Sequence, residues 1–82
     1  MTREDIKADL TALLDAQFPD HDGTYEEDSG PDDVAGWDSL AQVGLIADLE
    51  DRFAVRFEPG DLTQLTSVGA IVDTIARLKS VA

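Results

Sequence analysis

The sequence predicts an all-α fold: three main helices and one short helix, bundled together, with a long loop between the first and second helices. Apolar residues recur at helical spacing in three separate stretches. Alternating, strand-like spacing is absent beyond the short run Val55 to Phe57. The chain has 82 residues and no cysteine, so it reads as a single domain, residues 1–82, held by an apolar core and not by disulfides.

The first helix is expected over residues 3 to 17. Ile6, Leu10, Leu13, Leu14 and Phe18 fall on one face at 3.6 residues per turn. Thr2 and Asp5 match a capping box with aspartate in place of the usual glutamate. Pro19 ends the helix, because the residue before a proline is pushed out of the helical region.

Residues 19 to 38 lack periodicity. They carry Asp20, Asp22, Glu26, Glu27, Asp28, Asp32, Asp33 and Asp38, with no Lys or Arg among them. Loops this long inside a small domain are mostly functional or mobile. Val34 and Trp37 are the apolar residues expected to anchor it, with a short helical turn near Asp32 to Ala35.

The second main helix runs from Ser39 to about Arg52. Its core stripe is expected to be Val43, Ile46, Leu49 and Phe53, with Leu45 at the edge. Asp38 or Ser39 can accept the free N–H groups of the first turn. Gly44 costs about 1 kcal/mol relative to alanine inside a helix, which fits a face that something approaches closely. Ala54 to Phe57 is extended by propensity. Pro59 then opens a short helix, Gly60 to Leu65. Thr66 or Ser67 caps the last helix, whose stripe is Val68, Ile71, Val72, Ile75 and Leu78. Arg77 and Lys79 lie in its last turn, where cations suit the helix dipole.

Charge narrows the function. Eighteen acidic residues against six basic ones give a net charge of -12. Such a surface repels nucleic-acid phosphates and anionic lipid, favours a partner with a basic patch, and keeps the free protein soluble and monomeric. The segment MTREDIKADL has no apolar signal core, and no stretch approaches the roughly 20 apolar residues of a membrane span. A cytoplasmic location is the expectation.

Catalytic and metal motifs fail on inspection. Taking Asp20 and Asp22 as the first and third ligands of a calcium loop puts Tyr25 where glycine is required and Pro31 where glutamate is required. His21 is the sole histidine and reads as a surface loop residue. No phosphate-cradling glycine pattern exists, and no base stands near a nucleophile, so the chain is expected not to be an enzyme.

Ser39 holds the interest. It sits where the long loop meets a helix, beside Asp38, which can cap that helix by itself. Its hydroxyl is therefore either a second cap or free for another use. A phosphate ester there would meet a positive helix end and unpaired N–H groups. With no base in sight, an outside enzyme would have to carry out the chemistry.

The pattern Asp38-Ser39-Leu40, then Val43, Leu45, Leu49-Glu50 and Phe53, resembles the D-S-L-x-x-V-x-L-x-x-x-L-E-x-x-F signature of acyl carrier proteins. Phe57 and Pro59 before the short helix, and Thr66-Ser67-Val68 opening the last, extend the likeness over nearly the whole chain. The resemblance implies a non-catalytic carrier whose cofactor is 4'-phosphopantetheine. That arm would be placed on Ser39 from coenzyme A by a Mg-dependent phosphopantetheinyl transferase, with Asp38 assisting as motif residue and cap. Its thiol would hold acyl groups as thioesters, which supplies the sulfur that the chain lacks. Partners would be acyl-loading and acyl-processing enzymes with basic docking patches, met by Leu40, Ala41, Gly44, Ala47, Asp48 and Asp51. Departures from the carriers of fatty-acid synthesis fall at Ala41, Gly44 and Arg52, where acids are usual, and at Ala47, where methionine is. Together with Trp37 they resemble carriers of specialised pathways, discrete polyketide-type or aminoacyl/peptidyl carriers. The alternatives are an aminoacyl or peptidyl carrier loaded by an adenylating enzyme, and an acidic helical adaptor without a prosthetic group.

Overall fold

The computed structural model describes residues 2–80, which form α1 (Arg3–Gln17), α2 (Ser39–Phe53), α3 (Pro59–Leu62) and α4 (Val68–Ser80), with no strand among the described residues. Local chemistry explains the ends. Thr2 and Asp5 form the capping box: the Asp5 N–H donates to Thr2 Oγ1 at 3.1 Å, and the Thr2 N–H donates to Asp5 Oδ2 at 3.2 Å. The Phe18 N–H closes α1 on the Leu14 carbonyl at 2.7 Å, just before Pro19. Pro59 occupies the first turn of α3. That helix is a single turn, shorter than expected at its C-terminal side.

The core lies where α1, α2 and α4 meet. Ile6, Leu10 and Leu14, then Leu45 and Leu49, then Val68, Ile71, Val72 and Ile75 are fully buried. Phe18, Phe53, Phe57 and Leu65 close its margins. Leu13, Ile46 and Leu78 are half-buried against it.

Val43 corrects the expected stripe of α2. Expected in the core, it is 66% exposed. At about 100° per residue, Gln42 lies roughly 20° from Leu49 around the helix, whereas Val43 lies roughly 120° away. The inward arc is Gln42, Leu45, Ile46, Leu49 and Phe53, and a polar residue takes the place assigned to valine.

The long loop is tied down by its backbone as well as its side chains. Val34 and Trp37 are buried, and Trp37 stacks on Phe18 with centroids 5.7 Å apart. Residues Gly30 to Val34 form the expected turn, with the Asp33 and Val34 N–H groups both donating to the Gly30 carbonyl. Tyr25 is also buried, its hydroxyl donating to the Leu14 carbonyl at 3.3 Å. The loop carbonyls of Ser29 and Glu27 accept the first N–H groups of α4, those of Val68 and Gly69, each at 2.8 Å. Ser67 adds its hydroxyl, which accepts from the Ala70 N–H at 3.2 Å. Thus α4 is capped by its own serine and by the loop.

Ion pairs bind the periphery. Arg3 and Lys7 of α1 meet Glu27 of the loop at 2.5 and 3.2 Å, and Arg3 also meets Asp73 of α4 at 2.8 Å. Arg77 pairs with Asp61, whose carboxylate is held below its ordinary pKa by the Glu58 N–H and then by Arg77.

Candidate functional site

Ser39 opens α2 and is exposed. Asp38 is the cap: its backbone is extended, and its Oδ1 accepts the Ala41 N–H at 2.9 Å. Among the described residues the Ser39 hydroxyl has no hydrogen-bond partner. Of the two uses left open for that hydroxyl, the cap is thus taken by its neighbour. Gly36 lets the chain turn into this helix with φ 91, in the left-handed region where a Cβ is strained.

Beside Ser39 lies a cleft of about 510 Å³ lined by Pro31, Asp32, Trp37, Asp38, Gln42, Leu65 and Thr66. Three segments build it: the end of the long loop, the first turn of α2, and the connection between α3 and α4. Gln42 joins them, accepting from the Trp37 indole N–H at 2.5 Å and donating to the Leu65 carbonyl at 3.1 Å. Sequence reasoning did not single out Gln42. Its signal was positional, one turn before Leu45 on the same arc.

The residues expected to meet partners do not all lie alike. Leu40 is 82% exposed. Gly44, Ala47, Asp48 and Asp51 are exposed as well, and at helical spacing Leu40, Gly44, Ala47 and Asp51 fall opposite Leu49. Ala41 departs from that expectation: it is half-buried against the core, and its carbonyl accepts from the Gln17 side chain at 2.9 Å. Val43 borders the exposed face instead. Arg52 turns away to Asp9 of α1 at 3.2 Å, leaving Asp48 and Asp51 as the charges of that face.

Other candidates are placed apart from this site. His21 is half-buried and stacks on Tyr25, with ring centroids 4.3 Å apart. Among the described residues no cluster of three or more His, Cys, Asp or Glu side chains could hold a metal ion. Among the described residues no helix is long and apolar enough to cross a membrane.

The bundle presents an exposed serine at the start of α2 whose hydroxyl is unengaged among the described residues, an arrangement that fits a carrier, a protein that offers an attachment point and leaves the chemistry to others. Comparison with known proteins agrees. The family model for the phosphopantetheine attachment site matches residues 27–75, a span that contains Ser39. Acyl carrier proteins from Exiguobacterium sp. and Exiguobacterium sibiricum are 36% and 31% identical, over 88% and 92% of this chain and 91% and 95% of theirs. One from Thermotoga maritima is 29% identical over 93% of this chain and 94% of its own. The solution structure of a holo acyl carrier protein from Geobacter metallireducens superposes with a TM-score of 0.81 at 27% identity, covering 92% of this chain and 86% of that one.

The chain belongs to the acyl carrier protein family. It is a non-catalytic carrier, and its prosthetic group is covalently attached 4'-phosphopantetheine. Such carriers work with a phosphopantetheinyl transferase and with biosynthetic enzymes. Membership rules out the reading of the chain as an adaptor without a prosthetic group. The residues around Ser39 fit the group: the hydroxyl is unengaged, the helix end favours an anion, and the cleft has room for part of a flexible arm.

Proposed function

We propose that Ser39 bears the phosphopantetheine and that the protein shuttles acyl intermediates between enzymes of a specialised, polyketide- or fatty-acid-like pathway. The observation that carries this is the division of labour at the start of α2: Asp38 caps the helix, and the exposed Ser39 hydroxyl beside it is left without a partner.

Attachment is a phosphoryl transfer. Ser39 Oγ forms a bond to the phosphorus of coenzyme A that carries the pantetheine, and the bond from that phosphorus to the adenosine bisphosphate portion breaks. The hydroxyl proton leaves to a base on the transferase; the neighbouring Asp38 is engaged as the cap of α2. When bound, the group supplies a thiol that holds acyl cargo as a thioester. The chain's own part is positional. Asp38 fixes the first turn, Gly36 and Trp37 set the loop that leads into it, and the helix end stabilises the phosphate.

The exposed face of α2 is the docking surface in this reading. Leu40, Val43, Gly44 and Ala47 give it an apolar, uncharged start, and Asp48 and Asp51 place its charge at the far end. Partners therefore offer an apolar depression toward Ser39 and basic groups toward Asp48 and Asp51. Contacts of this kind give fast, short-lived encounters suited to a shuttle.

Incubation with coenzyme A and a broad-specificity phosphopantetheinyl transferase tests the reading. Intact mass rises by one phosphopantetheine in the wild type, and Ser39→Ala abolishes the rise. A mass gain that persists in Ser39→Ala moves the attachment elsewhere.

A further inference from the structure

Gln42 is a polar side chain on the inward arc of α2, and both ends of its amide are engaged across the cleft beside Ser39. The indole N–H is a donor only and the carbonyl an acceptor only, so just one orientation of the amide satisfies both Trp37 and Leu65. The bridge runs from the loop before α2 to the connection after α3. Its anchors are firm: Trp37 and Leu65 are buried, and Trp37 stacks on Phe18. One turn along the same arc, Leu45 is fully buried in the core.

We propose that Gln42 is a latch that selects the cargo. It holds the seam between α2 and the α3–α4 connection shut, so that a thioester on Ser39 stays in the surface cleft. The carrier then suits short or oxygenated acyl groups and disfavours long alkyl chains. An alkyl chain entering the core here must break both bonds, leaving a part-buried indole N–H and a part-buried backbone carbonyl without their partner. A short polar cargo meets no such obstacle, because Asp32 and Thr66 already make the cleft partly polar. Gln42 touches no reacting atom and is a positioning residue. The cargo part of this proposal rests on Ser39 as the attachment point; the latch does not.

The test has two arms. In the unmodified protein, hydrogen exchange of the Trp37 indole N–H is followed by NMR in the wild type and in Gln42→Leu, which keeps the volume but cannot bond. Exchange is expected to be slow in the wild type and at least about tenfold faster in the variant. Fast exchange in the wild type, or equal rates in both, overturns the latch. In the second arm, acetyl and octanoyl forms are made with acyl-coenzyme A and the transferase, and loading is verified by intact mass. The methyl signals of Leu45, Leu49 and Ile71 are expected to be the same in both wild-type forms and to shift only in octanoyl-loaded Gln42→Leu. Shifts in octanoyl-loaded wild type, or none in the variant, overturn the cargo selection. Failure to load counts against Ser39 alone, because the first arm still judges the latch. Trp37→Phe severs the bridge while keeping a ring on Phe18, and it serves in the second arm if Gln42→Leu does not fold.

Discussion

At the scale of the residue, the opposition between Gln42 and Val43 separates pattern from position. The hydrophobicity pattern assigns Val43 inward and passes over Gln42, whereas in the structure Val43 is exposed and Gln42 lies on the inward arc. The reversal was not legible because polarity is a poor guide where a tertiary partner is waiting. The Trp37 indole and the Leu65 carbonyl lie outside the helix that a helical wheel considers, and together they engage both ends of the amide. The Asp38–Ser39 pair was legible, because the cap needs only local sequence. These placements set a stability contrast. Leu49→Ala removes a fully buried side chain and should cost about 2–5 kcal/mol. Val43→Ala, at an exposed site, should stay within about 0.5 kcal/mol. Denaturant titration of both variants checks this. A loss at Val43 as large as at Leu49 would restore valine to the core.

At the scale of the element, each helix was visible in the sequence, and the contacts that cap α4 were only half visible. Ser67 announces itself three residues before Ala70. The carbonyls of Glu27 and Ser29 carry no side-chain signature, so their role at Val68 and Gly69 could not be read. The same contact gives two helical glycines opposite characters. A Cβ on Gly44 would stand 3.8 Å from Gln17 Nε2, an ordinary contact. One on Gly69 would stand 2.9 Å from the Glu27 carbonyl oxygen and 2.7 Å from its Oε1. Gly44→Ala should therefore stabilise α2 by about 1 kcal/mol, the propensity difference. Gly69→Ala should destabilise, because the added methyl pushes the loop off the helix end it caps. Thermal unfolding of the two variants should move in opposite directions, and a stabilised Gly69→Ala would show that the loop contact yields freely. In the proposed docking surface, the missing side chain at Gly44 would leave room for a partner's close approach.

At the scale of the whole molecule, a net charge of -12 works against compaction, and the few cations are distributed to offset it where segments meet. Arg3 and Lys7 converge on Glu27, so that this one loop carboxylate joins α1, while Arg3 reaches on to Asp73 of α4. Glu27 is held down to about 2 by its hydrogen bond to Arg3 first and by Lys7 second, against an ordinary value of 4.5. A carboxylate with a depressed folded-state pKa contributes stability that is present above its unfolded pKa and lost as pH falls through the folded one. For Glu27 the window runs from 4.5 down to about 2. Asp5 and Asp61 are also held below their ordinary values, so the wild-type curve alone does not isolate the effect. The difference between wild type and Glu27→Gln does, because both proteins share the other groups. The melting temperature of Glu27→Gln should lie below that of the wild type near neutral pH, with the gap narrowed by screening at high salt, since the pairs are half exposed. The gap should shrink as pH falls below 4.5 and be largely gone near pH 2, where about half of the wild-type side chains are already protonated. Melting curves collected from pH 7 to pH 2 at low and high salt measure it. No gap near neutral pH would mean that Glu27 holds the loop through its backbone carbonyl to Gly69, which both proteins keep, and not through its charge.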